Sequence, residues 1–248
     1  MTMNEKPFGI DVSRYQGQID WDAVASHVPR IHFAGIRASI NTGYTDTWFA
    51  RNWEEAKRVG VARTAYHIFF PGTPAEQQVN HFLRVIGDDF GELPLTLDME
   101  LDHGIHYQRI AERILQFSTL IESRTGRKPI LYSRTNWVNE HVIGNSTPPT
   151  WLAEHDWWVA LYGIGEDEHP EPVTLPRGVP VSRFKIHQTT NQGKPIGVES
   201  KQMNYDRWQG DLNSFEAYLK GIVPERALTL EERVRKLEEI ARSHGWKL

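Results

Sequence analysis

Short apolar runs alternate along this chain with longer stretches in which apolar positions recur every three to four residues. The runs at 8–13, 31–39, 61–70, 93–101, 128–133, 157–163, 184–190 and 203–208 read as eight strands. Helical spacing falls between them at 20–27, 47–59, 74–86 and 106–123, and after the last strand at 213–220. Asp20 is placed to cap the first helix and Gly60 to end the second. Thr73 is placed to cap the third ahead of Pro74, a favoured first helical residue. Strands separated by helices favour parallel pairing with right-handed crossovers, and at this length an α/β barrel over an open sheet. Residues 163–182 hold four prolines and read as a long loop. The expected architecture is therefore an irregular (β/α) barrel of about eight strands with few helices in its C-terminal half.

Past Pro224 the pattern changes. Leu230, Val234, Leu237 and Ala241 step by four, three and four among Glu, Lys and Arg. This predicts an amphipathic helix over 228–243, docked on its own barrel or serving self-association. The expected division is a barrel over 1–222 and a short helical tail over 223–248.

Composition narrows the chemistry. The chain has 248 residues and no cysteine, which excludes a disulfide framework, a thiol nucleophile and thiolate metal sites. A net charge of −4 gives no reason to expect a nucleic-acid partner. No apolar run approaches the ~20 residues of a membrane span. Residues 1–11 lack the basic and apolar regions of a secretory signal, so synthesis in the cytoplasm is expected. There is no H-E-x-x-H, G-x-S-x-G or phosphate loop. Asp102, His103 and His106 read as a solvated loop, and neither metal nor cofactor is expected. Nine Trp stand out. Trp21, Trp48 and Trp53 belong to helix packing, whereas Trp158 and then Trp208 are the best inward candidates.

The segment LPLTLDMEL at 93–101 carries the strongest local signal. On a strand, Leu93, Leu95, Leu97, Met99 and Leu101 share one face, and Thr96, Asp98 and Glu100 the other. In a barrel the second face points inward, and its C-terminal end opens at the catalytic mouth. Carboxylates at i and i+2 lie about 6–7 Å apart, close enough to split their ionisation into an acid and an anion. That division of labour cleaves glycosidic bonds. Asp11 ends the first strand on the same mouth, and Tyr66, Tyr132 and Tyr162 end others, offering flat rings and hydroxyls to sugars.

These residues, in GIDVSRYQGQIDW (9–21), TLDME (96–100), ILYS (130–133) and WVALYG (158–163), resemble the family 25 glycoside hydrolases, lysozymes that act as N-acetylmuramidases. The resemblance runs in order over about residues 7–220. It implies a flattened, irregular barrel and bacterial peptidoglycan as substrate. It also implies Glu100 as general acid/base, Asp98 steadying the substrate's 2-acetamido group with net retention, and Asp11 as the first-strand acid. A direct nucleophilic carboxylate stays open. Tyr66, Tyr132, Tyr162, Trp158, Gln188 and Asp206 are expected to line the sugar cleft. Two departures stand out. Where the family reads D-x-N-x-F-x-G this chain has Asn204 first and Asp206 third, leaving Asn204, Asp206 or Asp211 at the fourth acid position. His187-Gln188-Thr189 replaces a W-Q-Y-like pattern and removes an expected cleft Trp. The implied setting is a phage-encoded enzyme or one exported without a signal. A chitinase-like hydrolase and a non-catalytic wall-binding protein are the alternatives; Thr96, where the chitinase motif needs another acid, counts against the first.

Overall fold

The computed structural model of the chain describes residues 6–199, 202–222 and, further on, 234, 235, 238, 239 and 242. The tail expected over 223–248, with its helix at 228–243, lies outside the described residues apart from those five.

The strands are β1 (Phe8–Val12), β2 (Ile31–Ile40), β3 (Tyr44–Thr45), β4 (Ala62–Ile68), β5 (Thr96–Asp98), β6 (Ile130–Ser133), β7 (Trp157–Ala160), β8 (Phe184–Gly193) and β9 (Met203–Trp208). Their order is β1-β9-β8-β7-β6-β5-β4-β2-β3, and a β1–β2 pairing closes eight of them into a barrel, with β3 a short hairpin partner of β2. Around it lie α1 (Trp21–Ala25), α2 (Phe49–Arg58), α3 (Ala75–Ile86), α4 (Tyr107–Thr125), α5 (Thr135–Val138) and α6 (Leu212–Ile222). The expected barrel with a helix-poor second half is what the chain forms.

Three local expectations change. Asp20 does cap α1, accepting from the backbone N–H of Asp22 and Ala23, but α3 has no side-chain cap and Pro74 itself stands at its N-cap. Leu93 does not share the outer face of Leu95 and Leu97. It joins the barrel-interior cluster with Phe33 and Ala62, because Pro94 cannot donate to the ladder and interrupts the alternation. Finally, the barrel is not all parallel. β9 runs antiparallel to both β1 and β8, since the nine residues between Gly193 and Met203 are too few for a parallel crossover.

Alternation along each strand sorts side chains into two layers. Outward residues such as Ile10, Ala34, Ile36, Leu97, Leu131 and Val159 pack under the helices. Inward residues fill the barrel, and at its N-terminal end Phe33, Ile130, Ile186 and Trp208 are plugged by Phe215 of α6. Close packing here has a backbone requirement. A Cβ on Gly35 would lie 2.4 Å from Trp158 Cη2 and 3.1 Å from Asp11 Cβ, so only glycine leaves room for the indole at the barrel centre.

Candidate active site

The opposite end of the barrel is open, a cavity of about 410 Å³ lined by inward residues of successive strands. Asp11 comes from β1, Arg37 from β2, Tyr66 from β4, Thr96 and Asp98 from β5, and Tyr132 from β6. Trp158 of β7, Gln188 of β8 and Asn204 of β9 complete the ring, with Glu100 and Tyr162 just past their strand ends. Period-two alternation thus collects residues nearly two hundred positions apart.

Asp11 is 7 % exposed and organises one wall. Gln188 donates from Nε2 to Asp11 Oδ2 at 2.5 Å, and Asn204 from Nδ2 to Oδ1 at 3.1 Å. Gln188 is itself oriented, because the hydroxyls of Tyr132 and Tyr162 both donate to its Oε1 at 2.7 Å. Burial pushes the Asp11 carboxyl up from its ordinary 3.8 to about 6, against the pull of these donors. Asp206 stands beneath the cavity wall and is fully buried, with Trp158 Nε1 donating to its Oδ1 at 2.8 Å. Expected among the sugar-contacting residues, it does not line the cleft and reaches it through Asp11 and Trp158. Asp211 is not at the mouth either: its Oδ1 accepts from the Ser214 backbone N–H in the first turn of α6.

Asp98 and Glu100 form the opposite wall. Asp98 is 6 % exposed and its Oδ1 has no hydrogen-bond partner. Burial, then the nearby charges of Glu100 and Asp11, hold its carboxyl well above the usual carboxylate range. Glu100 is half-buried, its Oε1 3.4 Å from Arg134 Nη2. The backbone before it is fixed: Met99 N–H donates to the Tyr132 carbonyl at 2.9 Å, and Ser133 Oγ to the Met99 carbonyl at 2.5 Å. A second cavity of about 560 Å³ adjoins, lined among others by Trp137, Glu140 and His141. Glu100, Arg134 and Tyr162 line both cavities.

Sequence reasoning missed Arg37, Arg134 and Trp137. Arg37 follows Phe33 and Gly35 at two-residue steps, so alternation along 31–39 could have placed it inward; its Nε donates to Asp46 at 2.8 Å. Arg134 sits one residue past β6, but nothing in spacing marks it. His187 faces away from the cleft, its Nε2 2.9 Å from the Leu161 carbonyl, so the missing Trp at that position takes nothing from either cavity wall. Trp208, though inward, lies at the closed end against Phe215 and Tyr218. Trp48 stands beside α2 as expected, half-buried under Arg51. Among the described residues no group of three or more His, Asp or Glu is placed to hold a metal ion.

A closed, mixed barrel whose open end gathers carboxyls, tyrosines and amides into a cleft is the build of a glycoside hydrolase. The model of the family "Glycosyl hydrolases family 25" matches residues 10–198, and the chain belongs to that family. YegX of Escherichia coli O6:H1 is 36 % identical over 217 residues, covering 86 % of this chain and 74 % of YegX. Lysozyme M1 of Streptomyces globisporus is 28 % identical over 215 residues, covering 82 % and 67 %. Among solved structures, the bacterial lysozyme of Streptomyces coelicolor superposes with a TM-score of 0.76 at 26 % identity, over 89 % of this chain and all of that one.

Proposed function

We propose that this enzyme is a muramidase that cleaves the β-1,4 bond between N-acetylmuramic acid and N-acetylglucosamine in peptidoglycan. The observation that carries the reading is the position of Glu100 at the junction of two cavities. A glycan laid across both brings a linkage oxygen beside its carboxyl. Glu100 protonates that oxygen as the bond breaks, then takes a proton from the attacking water. The Glu100 charge is felt at Asp98, where it is among the causes that raise the carboxyl, and acid catalysis uses the state in which Glu100 bears the proton and Asp98 is the anion. A buried anion there stabilises positive charge on the sugar, or on the N–H of a 2-acetamido group attacking the anomeric carbon with net retention. Asp11, Gln188, Tyr132 and Tyr162 hold the ring, and Tyr66 and Trp158 shape the floor.

The test is turbidity loss of purified peptidoglycan with Glu100→Gln. Lysis should fall at least a thousandfold while the melting temperature stays within about 2 °C, since the side chain is part-exposed and contacts mainly Arg134. Lysis near the wild-type rate would refute the assignment. Product release from chitin oligomers, run alongside, separates the muramidase from a chitinase-like enzyme.

A further inference from the structure

Asp206 is an acid that the reaction as described leaves without a task. It is fully buried, and its neighbour across the β1–β9 pair is Gly9, which has no side chain to offer. One of its oxygens accepts from Trp158 Nε1; the other, Oδ2, meets no donor. Its neighbour along the inward face of the same antiparallel pair is Asp11, two residues on from Gly9, and the two carboxyls interact. Two carboxyl groups can share a hydrogen bond only when one of them carries a proton. The donors decide which one. Asp11 receives two amide N–H groups, from Gln188 and Asn204, and these favour its anion. Asp206 receives a single indole N–H. We propose that Asp206 is a positioning residue that stays protonated at neutral pH and donates from Oδ2 to Asp11, fixing the Asp11 anion toward the sugar.

The charges around the pair fit this assignment. Asp11 faces Asp98 of β5, Glu100 beyond it, Tyr66 of β4, Tyr132 of β6 and Tyr162 beyond β7. Arg37 of β2 lies across the same cavity. Asp206 faces Asp11 and, from its own strand, Arg207, whose guanidinium is engaged by Glu168 at 2.6 Å. Burial and the Asp11 charge both hold the Asp206 carboxyl well above the usual carboxylate range. On this arrangement the chain keeps an amide, Asn204, on the cleft wall and a neutral acid behind it, so the wall carries one negative charge where two acids in van der Waals reach would carry two.

The proposal rests on Asp11 orienting the sugar, and its test does not need lysis to succeed. In infrared difference spectra at pH 7 of the full chain, wild type against Asp206→Asn, the C=O stretch of one protonated carboxyl should disappear. Loss of carboxylate bands instead overturns the proposal, even if no wall is ever cleaved. With peptidoglycan as substrate, Asp206→Asn supplies an amide donor in place of the acid proton and should lower kcat/KM by no more than about threefold. Asp206→Leu removes the donor and should lower it at least about tenfold, the scale of a lost hydrogen bond to a charged group. The acid limb of the pH–rate profile should stay in place in Asp206→Asn. A limb displaced by a full pH unit, or an Asn variant as impaired as the Leu variant, overturns the proposal. If Asp206→Leu melts below the assay temperature, the infrared difference and the Asn profile decide the matter.

Discussion

Replacing Asp11 by Asn tests the electrostatics of the cleft through stability alone. In the folded chain the Asp11 carboxyl holds its proton up to about pH 6, against 3.8 when it is free of the fold. The cause is burial first, opposed by Gln188, Asn204 and Asp206, and reinforced by the Glu100 charge. A group whose affinity for protons is raised by folding stabilises the native state at low pH, and that contribution is lost as pH rises through the folded value. The loss here is about 3 kcal/mol, at about 1.4 kcal/mol for each tenfold change in proton affinity. Asn titrates in neither state, so whatever constant offset its different hydrogen bonds impose is the same at every pH.

The stability of wild type relative to Asp11→Asn should therefore fall by about 2.5 kcal/mol between pH 4 and pH 7, most of it between pH 4 and 6. For a chain of this length that moves the difference in melting temperature by roughly 5–10 °C. Asp98 and Asp206 add in the same direction, because the Asp11 charge is among the causes that raise both. Urea denaturation of both proteins at half-unit pH steps measures the difference directly. A difference that does not vary with pH would refute the reasoning. One that favours wild type increasingly as pH rises would mean that Asp11 is a well-paired anion, its donors outweighing its burial.

Two further predictions concern the frame that holds the site. Gly35→Ala places a methyl 2.4 Å from Trp158 and should cost about 1–3 kcal/mol in urea denaturation; because the displaced indole is the donor to Asp206, lysis should fall in the same variant, and unchanged melting and lysis together would show that the barrel centre gives way freely. Arg63, 1 % exposed, pairs with Asp89 and Glu92, both part-exposed, and lies 4.3 Å from the Trp53 ring. Arg63→Met leaves two anions that water can reach and should cost under about 2 kcal/mol, whereas Asp89→Asn with Glu92→Gln strands a buried cation and should cost about 3–5 kcal/mol; equal costs would contradict this asymmetry.

The barrel and most of its mouth were legible because strands obey a period of two. Asp11, Asp98, Glu100 and Tyr132 need no tertiary knowledge to be set on one face, only the strand and the sense that its C-terminal end is the open one. The same rule would have found Arg37. It failed at Leu93, where Pro94 interrupts the pleat, and it is silent on Arg134 and Trp137, which sit past strand ends where no period applies. The hydrogen bonds that orient Gln188 were equally out of reach, since Tyr132, Tyr162 and Asp11 meet it from three different parts of the chain.

The acid near residue 204 shows most clearly what direction adds to pattern. Asn204, Asp206 and Trp208 share one face of β9 whichever way the strand runs, so alternation alone cannot rank them by depth. In a parallel strand the later residue is nearer the mouth, and Asp206 would stand closer to the sugar than Asn204. β9 is antiparallel, and the order inverts: Asn204 lines the cavity, Asp206 lies below it, and Trp208 meets Phe215 at the closed end. The shortness of the connection between β8 and β9 is what reverses the strand, and it was visible in the sequence as the 191–202 stretch. Reading that connection as a hairpin would have put the amide on the wall and the acid behind it. It would also have shown that an acid at such depth, with a second carboxyl above it, has to be neutral or be answered by a cation. The only basic residue on β9, Arg207, is one position off the inward face and committed to Glu168.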